Sequence, residues 1–391
     1  MISRYSRRAL LPAALTVVFY AAAYAGAGER VVAIADVHGS FDGIVEILGR
    51  AGLIDDETHW VGGATTLVQT GDIFDRGLEV RKVLDLLMRL QVEAEAAGGK
   101  VEVLLGNHEG MNILGIYRDV NPEIYSTFAD DRSEKRRKAG YKTFKKYWAA
   151  QARAGGDPPP IFRADVRDLW MGEHPPGWLE YNQALSPEGR YGSWLRERPV
   201  TVRIGEVVFV HGGLGPALAG LSIDDINRRV HDELRSFDQA RNYMIDNDLV
   251  PPTAGRDAMV IAYRQLEAPD PVLDILADMS SWYLLSSEGP LWFRGAARGD
   301  EATQGAATAE LLAGVGAKRM VVGHTPRKNG RIQVRFSGRV FLIDTGMLSS
   351  VYQGGRPSAL EISEGVFRAL YPDGSAVLDA EIGAMPEAAR L

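Results

Sequence analysis

Apolar and polar positions change period along this chain. Arg30-Val31-Val32-Ala33-Ile34-Ala35, Thr65-Thr66-Leu67-Val68-Gln69-Thr70 and Val101-Glu102-Val103-Leu104-Leu105 are short, mostly aliphatic or β-branched runs. Runs of that length predict buried strands. Between them the apolar positions take helical spacing. Ile44, Ile47 and Leu48 follow Ser40, a candidate N-cap, and Leu78 to Ala97 forms a long helical stretch. Strand and helix in alternation predict a sheet between helices, with ligands beyond the C-terminal ends of the strands.

Further along, Val200-Thr201-Val202-Arg203-Ile204 and Val207-Val208-Phe209-Val210 flank Gly205-Glu206 and predict a hairpin. Ile223 to Met244 reads as helix. Arg319-Met320-Val321-Val322 and Val340-Phe341-Leu342-Ile343 read as strands, with short strands around Leu360 and Phe367, so the second half is expected to be more antiparallel. Residues 110–198 interrupt the pattern. They are rich in aromatic and basic residues and broken at Gly155-Gly156-Asp157-Pro158-Pro159-Pro160, which predicts a mainly helical cap insertion beside the site. The basic runs Arg136-Arg137-Lys138 and Lys142-Thr143-Phe144-Lys145-Lys146 are read as a solvated helix face, with contact to a phosphorylated substrate as the alternative.

Composition narrows the function classes. A net charge of −7 argues against a general nucleic-acid binder, which needs a basic footprint. The chain has no cysteine, so a disulfide framework, thiolate-bound zinc and a thiol nucleophile are all excluded. Arg4, Arg7 and Arg8 precede an apolar run from Ala9 to Ala27 that ends Ala25-Gly26-Ala27. That pattern predicts a signal peptide over 1–27, with the mature domain over 28–391 periplasmic or secreted. An uncleaved anchor is the alternative; Pro12 and the many alanines weigh against it, and no later segment is apolar enough to span a bilayer.

Five short segments, each at a strand end, carry metal-ligand residue types: Asp36-Val37-His38-Gly39, Gly71-Asp72-Ile73-Phe74-Asp75-Arg76-Gly77, Gly106-Asn107-His108-Glu109, His211-Gly212-Gly213 and Gly323-His324-Thr325-Pro326. Together they make a ligand list for two divalent ions about 3.5–4 Å apart. Asp36, His38 and Asp72 suit a first ion. Asp72, Asn107, His211 and His324 suit a second, with Asp72 bridging. Oxygen and imidazole ligands favour Mn, Fe or Zn over Ca or Mg. Ions so held lower the pKa of a bridging water, and the resulting hydroxide attacks phosphorus directly.

His108 follows Asn107 directly, so the two do not share one ion, and His108 is the candidate general acid. Asp75, expected one helical turn beyond Asp72, fixes its tautomer. Arg76 and Arg294 are candidates to clamp the phosphate, with Asn107 as a further substrate contact. Each segment alone has an ordinary reading: Asp36-Val37-His38-Gly39 as a turn, Asp72 as an N-cap, Arg76 as a surface partner. Their conjunction in one chain carries the argument. His59, His174 and His231 are assigned no role. Trp170, Trp178, Trp194 and Trp282 are read as packing, while Trp292 draws notice two residues from Arg294.

These motifs resemble the calcineurin-like metallophosphoesterases, and more narrowly the phosphoprotein phosphatases, whose GDxxDRG, GNHE and HGG stand here at Gly71–Gly77, Gly106–Glu109 and His211–Gly213. The resemblance runs from about Arg30 to Gly346. It implies a four-layer αββα sandwich of two mixed sheets, two metal ions, and the ligand and acid roles given above. Gly323-His324-Thr325-Pro326, Met111-Asn112-Ile113-Leu114-Gly115 and Leu291-Trp292-Phe293-Arg294-Gly295 are similar to the Shewanella-like branch, some members of which prefer phosphotyrosine. A phosphoprotein or phosphopeptide substrate is therefore expected, with the insertion as a cleft wall for an aromatic leaving group. The alternatives are a nucleotide or dinucleoside-polyphosphate hydrolase, which usually has His-Ala-Gly at the fourth motif, and a non-catalytic metal-binding scaffold.

Overall fold

A computed structural model describes residues 30–158, 160–378 and 381. The expected signal peptide lies outside them. Among the described residues, eleven strands form two mixed sheets. β1 (Val31–Ile34), β2 (Thr66–Gln69) and β3 (Lys100–Val103) run parallel, and β9 (Ala359–Ser363), β10 (Val366–Tyr371) and β11 (Gly374–Val377) extend the sheet antiparallel beyond β1. In the second sheet β5 (Val207–Val210), β6 (Arg319–Val322) and β8 (Val340–Leu342) are parallel. The hairpin partner β4 (Thr201–Ile204) and β7 (Gln333–Arg335) are its antiparallel edges. The second half is thus the more antiparallel one, as its short runs predict, with β5, β6 and β8 as its parallel part. Long crossovers through helical material return β6 beside β5 in the same direction, which a tight turn cannot do.

Strand residues alternate between two cores. Val31 and Ala33 face Phe209, Phe341 and Phe367 between the sheets, while Val32 and Ile34 face the helices. Phe341 and Phe367 stack with ring centres 4.6 Å apart, joining the sheets. Apolar side chains on both faces of a strand require cover on both sides. Helices α1 (Phe41–Arg50) and α2 (Val80–Ala96) cover the first sheet, and α8 (Ile223–Asp246) lies against β4 of the second. The result is the expected αββα order. Ser40 does stand at the N-cap of α1, but its side chain makes no capping hydrogen bond.

The segment expected as an insertion is helical. The end of α3 (Asn107–Ile113) leads into a short 3-10 turn at Pro122–Phe128, then α4 (Ser133–Ala154), α5 (Ala164–Glu173), α6 (Trp178–Leu185) and α7 (Arg190–Arg196). It is pinned to the body: Trp194 Nε1 donates to Gln91 Oε1 at 2.8 Å and Tyr191 Oη to Asp85 Oδ1 at 3.0 Å, both acceptors on α2. Two residues of its first basic run are engaged locally. Arg136 pairs with Asp130 and Glu180, and Arg137 with Glu134. Three further described helices, α9 (Arg256–Tyr263), α10 (Gly295–Arg298) and α11 (Glu301–Gly314), lie in a region for which no element was expected. No described helix is long and apolar enough to cross a membrane.

Candidate metal centre

Six parallel strands, three from each sheet, end at one seam. Asp36 follows β1, Asp72 β2, Asn107 β3, His211 β5, His324 β6 and Asp344 β8. All six side chains are buried. Backbone geometry is unusual here too. Ten described non-glycine residues have positive φ, and His38, Asp72, Asp75, Arg76 and His324 account for half of them. Such strain persists where surrounding structure holds it, and it clusters at functional sites.

The loop after β2 shows how it is held. The segment 71–79 is not helical, so Asp75 is not a helical turn beyond Asp72. Asp72, Asp75 and Arg76 instead occupy left-handed conformations at φ 60°, 69° and 67°. The loop closes around the buried Glu109 carboxylate, which accepts from the N–H groups of Gly106 (2.7 Å), Asp72 (2.8 Å), Ile73 (2.8 Å) and Phe74 (3.2 Å). Gly71, at φ 95°, passes so close to the next loop that a Cβ would lie 2.5 Å from the nitrogen of Gly106. Only glycine meets both demands.

One carboxylate oxygen, Asp72 Oδ2, faces three imidazoles. His211 Nε2 is 3.2 Å away, and His38 Nε2 and His108 Nε2 are each 3.8 Å away. On one side His38 Nε2 also lies 3.9 Å from Asp36 Oδ2. On the other, His211 Nε2 is 2.9 Å from Asn107 Oδ1 and 3.1 Å from His324 Nδ1. Two groups able to hold an ion therefore share Asp72: His38 with His108, and His211 with His324.

The residues fit divalent ions. His38 Nδ1 donates to Phe74 O at 2.7 Å and His211 Nδ1 to Thr70 O at 2.9 Å, so each turns an Nε2 lone pair into the seam. His324 Nε2 and Asp344 Oδ2 are buried with no hydrogen-bond partner, and two imidazole nitrogens face one another at 3.1 Å. Lone pairs so gathered call for a cation. Arg76 fills part of that need, placing Nη1 2.7 Å from His38 Nε2 and Nη2 3.2 Å from His108 Nε2.

The histidines divide electrostatically. Burial lowers His38 to about 3 and His324 to about 2, leaving both neutral and ready to ligate. Burial also opposes charge on His211 and His108, but the Asp72 carboxylate outweighs it and lifts each to about 9. For His108 a second carboxylate helps: Nδ1 donates to Asp75 Oδ2 at 2.5 Å. Burial, then the nearby Asp344 carboxylate, raises Asp36 well above the usual range. Asp344 itself rises to about 7, chiefly through burial.

These shifts give a pH prediction. Without ions His211 holds a proton below about pH 9, and an imidazole must shed it to ligate. Affinity for the ion that His211 holds should therefore rise about tenfold per pH unit below that value, with about one proton released on binding it near neutral pH. Calorimetric titration with Mn or Zn in buffers of differing ionisation enthalpy checks it. Binding without proton release would remove His211 from the ligand set.

Every residue assigned from sequence lies at or beside the seam. Arg294 is at its rim, with Nη1 donating to His324 O at 2.9 Å and Thr325 Oγ1 at 3.0 Å. The ring of Trp292 lies edge-on to His324 with centres 5.8 Å apart. The residues assigned no role stay apart: His59 meets Glu93, His174 stacks on Trp170, and His231 meets the Arg198 carbonyl. Three contributors were not foreseen. Asp344 had the same strand-end placement as the other acids. Glu109 was seen only as a motif letter. Tyr352, whose ring centre lies 5.3 Å from the Arg76 guanidinium, carried no signal.

Buried carboxylates and imidazoles at the strand ends of an αββα sandwich, with two arginines at hand, define a metal-dependent phosphoesterase. A sequence profile of the calcineurin-like phosphoesterases matches residues 29–328, and the chain belongs to that family. It is 27% identical over 346 residues to Shewanella-like protein phosphatase 1 of Plasmodium berghei, covering 87% of this chain and 74% of that one. It is 34% identical over 221 residues to Shewanella-like protein phosphatase 2 of Arabidopsis thaliana, 54% of each. The fold matches that of the cold-active protein-tyrosine phosphatase of a psychrophilic Shewanella, with a TM-score of 0.59 and 24% identity over 90% of this chain and 81% of that one.

Proposed function

We propose that this chain hydrolyses phosphomonoesters on proteins at a site for two divalent ions. The observation that carries this reading is Asp72 Oδ2, which faces both ion-holding groups while His108 stands beside it, oriented by Asp75. The names of the relatives support a phosphoprotein substrate. When bound, such ions supply positive charge to phosphoryl oxygens and acidify water into a nucleophile. Asp36, His38 and Asp72 would hold one ion; Asp72, Asn107, His211 and His324 would hold the other. Arg76 and Arg294 clamp the phosphate oxygens, a task for which the planar guanidinium fork is suited. His108 Nε2 gives its proton to the departing oxygen.

Aromatic walls stand beside the clamps. Tyr352 lies under Arg76 and Trp292 beside His324, which suits an aryl leaving group. From the insertion, Arg118 reaches over Trp292 at 5.5 Å, and Tyr181 connects through Asn112 to Asp75. An exported mature chain from Gly28 fits the N-terminal pattern.

The test is turnover of that chain with Mn, Fe or Zn on matched phosphotyrosine and phosphothreonine peptides and on a dinucleoside polyphosphate. Peptide turnover with the tyrosine form favoured is expected. Turnover of the nucleotide alone would replace this reading with a nucleotide hydrolase. Silence on every substrate would leave a binding scaffold.

A further inference from the structure

Behind Asp75 runs a closed chain of buried polar groups that reaches into the insertion. Asn112 Nδ2 donates to Asp75 Oδ1 at 2.9 Å and to the carbonyl oxygen of His108 at 2.9 Å. Tyr181 Oη, on α6, donates to Asn112 Oδ1 at 2.5 Å. Tyr181 and Asp75 are fully buried and Asn112 nearly so.

The donor and acceptor directions are forced. A carboxylate and a carbonyl both accept, so both hydrogens of the Asn112 amide must face Asp75 and His108. The amide oxygen then needs a donor on its far side, and among the described residues Tyr181 is the donor it meets. Without the phenol the amide loses what distinguishes its two ends. A flip would set its oxygen against Asp75 Oδ1, acceptor to acceptor, and push the carboxylate off His108. Burial, with the nearby Asp75 charge, holds the Tyr181 phenol well above its ordinary pKa, so it remains a donor throughout the working range. Its ring is fixed edge-on by Phe128 (5.0 Å), Tyr125 (5.3 Å) and Tyr117 (5.8 Å).

We infer that Tyr181 and Asn112 are positioning residues for the general acid: they lock the Asp75 carboxylate so that His108 is aimed at the leaving oxygen. This gives the insertion a catalytic duty besides lining a cleft. The inference rests on the proposed role of His108, and the experiment separates the two.

The experiment is a leaving-group comparison on the metal-loaded enzyme, from p-nitrophenyl phosphate, whose phenolate departs with little help, to phenyl phosphate, whose phenol is near the tyrosine pKa of about 10. Tyr181→Phe keeps the ring and removes one hydroxyl. Its kcat on phenyl phosphate should fall about tenfold, a fraction of the usual worth of a general acid, and on p-nitrophenyl phosphate by less than about twofold. KM should not change. A merely structural role would lower both rates together. Equal losses on the two esters, or no loss on either, would overturn the inference provided His108→Ala shows the leaving-group-dependent loss. If His108→Ala also loses both equally, the general-acid reading itself fails. Should Tyr181→Phe not fold, Asn112→Ser, too short to bridge Tyr181 and Asp75, carries the same comparison with the same outcomes.

Discussion

Asp72→Asn is expected to remove both ion sites and to lower kcat by at least about 10³-fold with every metal, in the range seen when a principal electrostatic stabiliser is lost. Asparagine has the same shape and can still accept the His108 N–H now held by Asp72 Oδ1 at 3.0 Å, so the loop after β2 is expected to keep its course. What disappears is the negative charge that faces three imidazoles at once. Burial opposes the ionised carboxylate, but the charges of His211 and His108 hold Asp72 well below its ordinary pKa. It thus arrives at the ions already ionised. Other ligands serve one group; Asp72 serves both, so its loss is not made good by raising the metal concentration. Calorimetric titration beside kcat measurement checks this, with circular dichroism to confirm the fold. An Asp72→Asn enzyme within tenfold of the parent, binding two ions, would show that the groups are independent.

The legible and illegible parts of this molecule differ in the range of the interactions that make them. β1, β2 and β3, α2, the β4–β5 hairpin and α8 follow from residues within one turn or one strand of each other, and periodicity reports those directly. The ligands were legible because each motif sits on a strand end, and parallel strands bring their C-terminal ends to one side. Glu109 was not, since its value lies in four N–H groups, three of them more than thirty residues away. Asn112 and Tyr181 escaped for the same reason: an asparagine and a tyrosine 69 positions apart show no pattern until the insertion is folded back. Asp75 was placed correctly for a wrong reason. Helical spacing suggested its nearness to Asp72, but left-handed backbone at both residues, with close-packed glycine on either side, makes the turn.

His108→Ala should lower kcat by about 10²–10⁴-fold on poorly leaving alcohols, the usual range for a lost general acid, with KM little altered. The pH profile sharpens this. His108 is charged because the Asp72 and Asp75 carboxylates overcome its burial and raise it to about 9. A raised pKa leaves the acid form complete at neutral pH and removes it as pH climbs through that value. Ions beside Asp72 add positive charge, which pulls His108 down from there, so the parent's alkaline limb should fall at or below about 9. The variant should lack that limb on phenyl phosphate while keeping any acid limb due to ion binding. A ligand histidine would behave differently. Its loss would cut ion affinity, raise the metal concentration needed for turnover, and spare neither good nor poor leaving groups. Since His108 Nε2 stands as close to Asp72 Oδ2 as His38 Nε2 does, at 3.8 Å, distance alone does not separate the two roles. Nor does the Asp75 hydrogen bond, since a proton held on Nδ1 leaves Nε2 free either to ligate or to carry the proton given to the leaving oxygen; the metal dependence of the variant decides.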